Sequence, residues 1–126
     1  ADLIVNNVNA NAFVYENHTN NKEQQQNYIA VQLKGKSPNT FAIGSKIKIY
    51  AGNQVLSREV IPSRGFQSSC DYKQIIGLGN FKPDSMAILW PDLSVTKVLA
   101  PAINKTHYLQ YAESNEKAAA TANPPQ

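Results

Sequence analysis

The sequence predicts an all-β fold, either a sandwich-like structure or a partly open barrel of short, mainly antiparallel strands. Apolar residues recur with a period of two, the spacing of strands with one buried face; the clearest examples are Ile29, Val31 and Leu33, and then Ile47 and Ile49. Turn-forming residues separate nine such runs along the chain. Several short strands at this spacing are typical of sandwiches and barrels.

The strands are expected in chain order at Asp2–Asn7, Ala12–Glu16, Tyr28–Lys34, Ser45–Ala51, Gln54–Ile61, Lys73–Ile76, Ser85–Trp90, Val95–Leu99 and Thr106–Tyr111. Between the fourth and fifth strands, Gly52-Asn53 predicts a two-residue hairpin, because glycine adopts positive φ freely and asparagine tolerates it. Gly77-Leu78-Gly79-Asn80 predicts a tight corner between strands. Pro91-Asp92 stops the seventh strand just after the only tryptophan, Trp90, which we expect to anchor the core.

Two segments differ in composition from the strands. Residues 17–27 contain no large apolar side chain, which indicates a polar connector. The stretch 113–126 is Ala-rich and contains Pro124-Pro125, so we expect a disordered tail that is at most weakly helical around Asn115–Ala120. The chain therefore divides into segments 1–17, 18–26, 27–112 and 113–126.

Composition limits the function classes. A chain of 126 residues with 12 Lys+Arg and 9 Asp+Glu has room for one core and carries a net charge of +3. The basic residues are scattered, so nucleic acid is not the expected partner; the alternative is polyanion binding through Lys46, Lys48, Arg58, Arg64 and Lys73. No run of about 20 apolar residues could span a bilayer.

Chemistry-bearing residues are sparse. Cys70 is the only cysteine, and His18 and His107 lie far apart, so the pattern predicts no metal site and no cofactor. No catalytic constellation is expected; a hydrolase alternative would need Ser68, Ser69 or Cys70 beside His107. The expected ligand-binding residues are the cation, aromatics and polar side chains of one loop: Arg64, Phe66, Gln67, Ser68, Ser69 and Tyr72. The expected buried residues include Ile47, Ile49, Val55, Phe66, Leu78, Ile88 and Trp90.

Six segments share their order and spacing with a known domain family. They are YIAVQLKG at 28–35, AIGSKI at 42–47, REV at 58–60, SRGFQSS at 63–69, IGLG at 76–79 and LWPD at 89–92. Together they resemble an ASPIC/UnbV domain, in which Gly44, Gly65, Gly77, Gly79, Trp90, Pro91 and Asp92 are the structural motif positions. Ile76 stands where the family usually has Phe, and Leu93 where it usually has Gly.

The start of the chain resembles another family. DLIVNN at 2–7 and AFVYEN at 12–17 are similar to the end of an FG-GAP/VCBS propeller repeat. The two resemblances imply a non-enzymatic C-terminal binding or structural module of a larger protein that is extracellular, periplasmic or on the cell surface. Its partners would be the other domains of the parent chain and protein or glycan ligands. Calcium is expected only in repeats upstream, because Asp2 alone cannot supply the six to eight oxygens that this ion takes.

Overall fold

The computed structural model describes residues 2–18, 26–112 and 116–117. The strands within them are β1 (Leu3–Val5), β2 (Phe13–Tyr15), β3 (Asn27–Lys34), β4 (Lys46–Ala51), β5 (Gln54–Glu59), β6 (Gln74–Gly79), β7 (Ser85–Leu89), β8 (Ser94–Leu99), β9 (Lys105–Gln110) and β10 (Glu116–Lys117). No helix occurs in this part of the chain. The prediction of an all-β fold is confirmed.

The strands form three sheets. β1 and β2 make a separate hairpin, five strands lie in the order β10-β8-β7-β4-β5, and three in the order β6-β3-β9. Every pairing between described strands is antiparallel except that of β3 with β9, which is parallel. The two larger sheets keep open edges and do not close into a barrel, so the sandwich-like alternative is the correct one.

The core lies between the five-stranded and the three-stranded sheet. Alternate residues of β4 and β7 enter it from one side, including Ile47, Ile49 and Ile88, and alternate residues of β3 and β6 enter it from the other. The buried cluster comprises Ile29, Val31, Leu33, Ala42, Ile47, Ile49, Val60, Ile76, Leu78, Met86, Ile88 and Trp90. Because the period of two places one apolar set on each inner face, the two sheets share a single core.

Two residues expected in the core are exposed. Val55 is 53% exposed because it pairs with Tyr50, and Tyr50 points away from the core that holds Ile47 and Ile49. Its neighbour Leu56, opposite Ile49, takes the inward position. Phe66 is 90% exposed because it lies in a loop that the Ser63–Ser69 bridge closes outside the sheets.

The corner predicted at residues 77–80 starts later along the chain than expected, because Asn80 lies in a turn that the Phe81 amide closes by donating to the Leu78 carbonyl. β6 continues through Gly79, and Leu78 is buried in the core. Tyr28 pairs with Gly77 and Asn27 with Gly79, so a β-bulge at this point absorbs one extra residue. Gly79 has a φ of 58°, a conformation that glycine adopts without steric cost.

The predicted Gly52-Asn53 hairpin is confirmed between Ala51 and Gln54. Gly52 has a φ of 57°, and its amide donates a hydrogen bond of 2.7 Å to the Asp84 carboxylate. Further along the chain, Glu116–Lys117 pairs with β8, where the sequence predicted a tail that is disordered or at most weakly helical. The rest of segment 113–126 lies outside the described residues.

Candidate functional site

The loop between β5 and β6 presents most of the predicted ligand-binding residues. A bridge between Ser63 and Ser69 closes it, and the Ser68 hydroxyl donates to the Arg64 carbonyl. Arg64, Phe66, Gln67, Ser68 and Ser69 are all exposed. The structure therefore keeps these five residues together on one surface loop.

Tyr72, the sixth predicted residue, packs against a residue outside that loop. Its ring is half-buried and stacks on Phe41, with the ring centroids 4.1 Å apart and the planes 10° from parallel. Phe41, which the sequence patterns did not single out, stays 51% exposed. The pair joins the loop before β6 to the loop between β3 and β4.

Phe41 lines a groove on the outer face of the three-stranded sheet. Parallel pairing of β3 with β9 sets Gln32 beside Tyr108 and Lys34 beside Gln110, on the face opposite the core residues Val31 and Leu33. We call this surface the aromatic groove; its volume is about 430 Å³ and its lining is Gln32, Leu33, Lys34, Thr40, Phe41, Tyr108, Leu109 and Gln110. Tyr108 is 74% exposed within it.

Trp90 and Asp92 lie where the two larger sheets meet. The Trp90 ring is buried, its Nε1 donates to Thr96 Oγ1 over 2.8 Å, and it meets the Tyr111 ring edge-to-face at 5.5 Å. Asp92 Oδ2 accepts a hydrogen bond of 2.7 Å from the Tyr111 hydroxyl. The turn between β7 and β8 is thereby joined to the residue that follows β9.

The Asp92 carboxylate is held in its ionised form by these hydrogen bonds. The Ser94 hydroxyl donates to Oδ1 over 2.6 Å, and the Ser94 amide donates to the same oxygen over 3.0 Å. The Ser94 hydroxyl, followed by the Tyr111 hydroxyl and the Ser94 amide, lowers the pKa of Asp92 from 3.8 to about 2. The same hydrogen bond from Tyr111 raises the pKa of that phenol.

A cavity of about 270 Å³ lies beside this turn and includes Gly35, Lys36, Trp90, Asp92 and Tyr111 in its lining. Both Asp92 oxygens already accept hydrogen bonds from within the chain. We therefore interpret Trp90-Pro91-Asp92 as a structural tether between the sheets.

Comparison with known families identifies the chain. A family model described as ASPIC and UnbV matches residues 35–116, more than half of the sequence. The chain belongs to the ASPIC and UnbV family. No curated protein matches it. The resemblance of the central segments is confirmed, while the hairpin of β1 and β2 lies outside the matched residues.

Two motif glycines of the ASPIC/UnbV domain adopt backbone conformations that favour glycine. Gly44 has a φ of 89° and Gly65 a φ of 78°, and both sit in turns between strands. Leu93, at the position where the family usually has Gly, also adopts a positive φ, of 68°. Leu93 thus occupies a turn position whose backbone conformation favours glycine.

The basic residues of the ASPIC/UnbV domain do not converge as the polyanion alternative needs. Lys46 and Lys48 lie on the outer face of β4, whereas Arg58 pairs with the inward-facing Ile47, Arg64 lies in the loop, and Lys73 precedes β6 in the other sheet. The sequence did not single out Lys97. Ala87 of β7 pairs with Lys48 on one side and with Lys97 on the other, so the two lysines lie on the same outer face of the sheet. Lys48 and Lys97 line a shallow groove of about 600 Å³ with Tyr50, Leu89, Val95 and Leu99 among its other lining residues.

The residues of the hydrolase alternative have other partners. His107 Nε2 lies 2.8 Å from the Ala102 carbonyl oxygen, and the Ser68 hydroxyl donates to Arg64. No hydrogen bond between described residues joins His107 to Ser68, Ser69 or the exposed Cys70.

Within the described residues of the ASPIC/UnbV domain and its flanking strands, no three His, Cys, Asp or Glu side chains come together in a group that could hold a metal ion. That part of the chain also has no helix with the length and apolar character needed to cross a membrane.

Proposed function

We propose that this chain is a non-enzymatic binding or structural module of a larger secreted or cell-envelope protein of the FG-GAP/VCBS type. It contacts other domains of its parent chain and presents a surface to protein or glycan ligands. Membership of the ASPIC and UnbV family supports a domain within a larger chain. The observation that carries the contact role is the hairpin of β1 and β2.

This hairpin exposes apolar side chains on both of its faces. Ile4 and Val14 pair across one face and are 68% and 70% exposed. Leu3, Phe13 and Tyr15 share the other face and are each more than half exposed. Neither strand pairs with any other described strand.

A hairpin of this kind is stabilised when other strands or side chains pack against it. Two strands alone are marginally stable in water, and large apolar side chains exposed on both faces mark a surface that another element covers. The internal ties are few: Asp2 Oδ1 accepts a hydrogen bond from the Asn17 amide over 2.9 Å, and Asn7 donates to the Asn11 carbonyl. We infer that other strands of the parent chain cover both faces, as in a blade of the propeller whose last repeat the sequence resembles.

Amide hydrogen exchange tests this contact. The backbone amides of Leu3–Val5 and Phe13–Tyr15 should exchange freely in the present chain and at least about tenfold more slowly in the longer parent protein. Replacing Ile4→Lys together with Val14→Lys should remove the protection in the parent. The same pair should leave the thermal midpoint of the present chain unchanged, because these side chains pack on neither larger sheet.

A double substitution on another exposed strand serves as the matched control. Gln54→Lys with Ser57→Lys places two lysines on the edge strand β5 and should leave the exchange of the hairpin amides as it was. Equal exchange in chain and parent contradicts the proposal. So does a loss of several degrees in the midpoint of the present chain on Ile4→Lys and Val14→Lys, because the hairpin would then pack on its own domain.

Polyanion binding is the second candidate function. The observation that favours it is the outward row of Lys48 and Lys97, with Lys46 on the same face. These three lysines form a smaller basic surface than the five predicted residues would have made, so the contact role is the better supported one.

A further inference from the structure

We propose that the aromatic groove binds an oligosaccharide that carries uronate carboxylates. The inference deepens the proposed function, on which it rests, by naming one ligand class and the surface that takes it. The groove has a volume of about 430 Å³, which is within the range of about 300–1,000 Å³ that is usual for small-molecule sites.

Aromatic rings supply the apolar part of the groove. Tyr108 is 74% exposed and Phe41 is 51% exposed, although Tyr72 stacks on Phe41 at 4.1 Å. Stacking against Tyr72 fixes the orientation of the Phe41 ring before any ligand arrives. Flat, exposed rings of this kind pack against the C–H faces of pyranose sugars, and a ring that is already fixed loses little conformational entropy on binding.

Amide and hydroxyl groups supply the polar part. Gln32 lies beside Tyr108 in the register of β3 and β9, and Gln110 lies two residues further along β9. Within the described residues the side chains of Gln32, Thr40 and Gln110 make no hydrogen bond. Each amide can both donate and accept, as the hydroxyl groups of a sugar require.

Charge selects the kind of saccharide. Lys34 is the charged side chain of the lining, and no carboxylate lies among the described residues that line the groove. An ammonium group beside Gln110 complements a carboxylate on the bound sugar. A uronate chain satisfies all three features: sugar faces for the rings, hydroxyls for the amides and a carboxylate for Lys34.

Titration calorimetry on the whole chain tests the proposal. The probes are tetrasaccharides of galacturonate, of mannuronate and of hyaluronan, each beside its carboxyl-reduced neutral form. At least one uronate form should bind more tightly than its neutral form. Tyr108→Ala should weaken that binding by about tenfold or more, because the ring loses its apolar contact. Lys34→Gln should weaken it by about two- to fivefold, to the level of the neutral form.

Matched control variants lie in the loop between β6 and β7. Phe81→Ala and Lys82→Gln remove an exposed ring and an exposed positive charge outside the aromatic groove and should leave affinity unchanged. Thermal melts establish that each variant is folded, and Gln32→Ala replaces Tyr108→Ala if the latter is not.

Three results would overturn the inference: no binding by any probe, binding that survives both Tyr108→Ala and Gln32→Ala, or equal affinity for acidic and neutral forms. Amide hydrogen exchange at the hairpin of β1 and β2 measures its contact with the longer parent protein independently of saccharide binding. A null titration with a protected hairpin therefore removes the saccharide site and leaves the proposed contact role standing, while the reverse pattern removes the contact role.

Discussion

Ser45 places a hydroxyl in the core. The residue is fully buried and its Oγ has no hydrogen-bond partner among the described residues, whereas its backbone amide donates to the Ala42 carbonyl and its own carbonyl accepts from the Val60 amide. A buried polar atom left unpaired costs about 1–3 kcal/mol. Ser45→Ala should therefore raise the free energy of unfolding by about 1–2 kcal/mol in urea titrations.

Ser94 provides a control with the opposite sign. It is also buried, but its hydroxyl donates to Asp92 over 2.6 Å. Ser94→Ala should lower the free energy of unfolding by about 1 kcal/mol or more. A destabilised Ser45→Ala variant would show that the Ser45 hydroxyl has a partner after all.

Leu93 adopts a conformation that suits glycine better. Its φ is 68°, its side chain is 62% exposed, and its amide donates to the Trp90 carbonyl to close the turn. A left-handed backbone costs a non-glycine residue about 1–2 kcal/mol, and part of the gain from Leu93→Gly is offset by the greater freedom of glycine in the unfolded chain. Leu93→Gly should raise the free energy of unfolding by about 0.5–1 kcal/mol.

The matched comparison is Leu99→Gly. Leu99 is 80% exposed but lies in the extended strand β8, where glycine brings no relief of strain. This variant should lower the free energy of unfolding by about 0.5–1 kcal/mol. If Leu93→Gly lowered the free energy of unfolding as Leu99→Gly is expected to do, the backbone strain at Leu93 would be contradicted.

At the scale of elements, the turn between β7 and β8 gives the fold an acid-sensitive tether. The pKa of Asp92 is about 2 in the folded chain against 3.8 for an ordinary aspartate. A lowered folded pKa contributes stability that is fully present above pH 3.8 and is lost as the pH falls through 2. The Asp92→Asn variant should therefore lose less free energy of unfolding between pH 5 and pH 2 than the unchanged chain does.

Urea titrations at both pH values measure this difference. Glu59→Gln is the control, because the Glu59 carboxylate makes no hydrogen bond or ion pair within the described residues and has no comparable tether. An acid response that is the same in Asp92→Asn as in the unchanged chain would show that the tether does not act through ionisation.

Element bounds could be predicted where alternation and turn residues agree. Gly52-Asn53 follows the alternating apolar residues Ile47 and Ile49, so the hairpin could be predicted, whereas the inward position of Leu56 could not. Gly77 and Gly79 led to a corner being predicted too early, because glycine is common in turns. Leu78 between them is buried, and its packing keeps this part of β6 against the core. Val55 was misplaced because an apolar residue type does not reveal which face of a hairpin it occupies.

At the scale of the whole molecule, sheet partnership was outside the reach of the sequence pattern. A period of two is the same whichever strand lies alongside, so nothing near Gln32 indicated that Tyr108 would be its parallel neighbour. The aromatic groove depends on that long-range pairing and on the stacking of Phe41 with Tyr72. Local motifs could find the loop of Arg64 and Phe66, but not a surface assembled from distant segments.

The parallel pairing of β3 with β9 also sets how the folded unit would respond to tension. The chain enters β3 at Asn27, at one end of this pair of strands, and leaves β9 after Gln110, at the opposite end. Stretching force between those points pulls two adjacent strands in opposite directions along their axes. The ladder runs from the pair Ile29 and Lys105 to the pair Lys34 and Gln110, and it carries this force in shear. Its backbone hydrogen bonds then share the load instead of breaking one at a time, so the folded unit should resist extension.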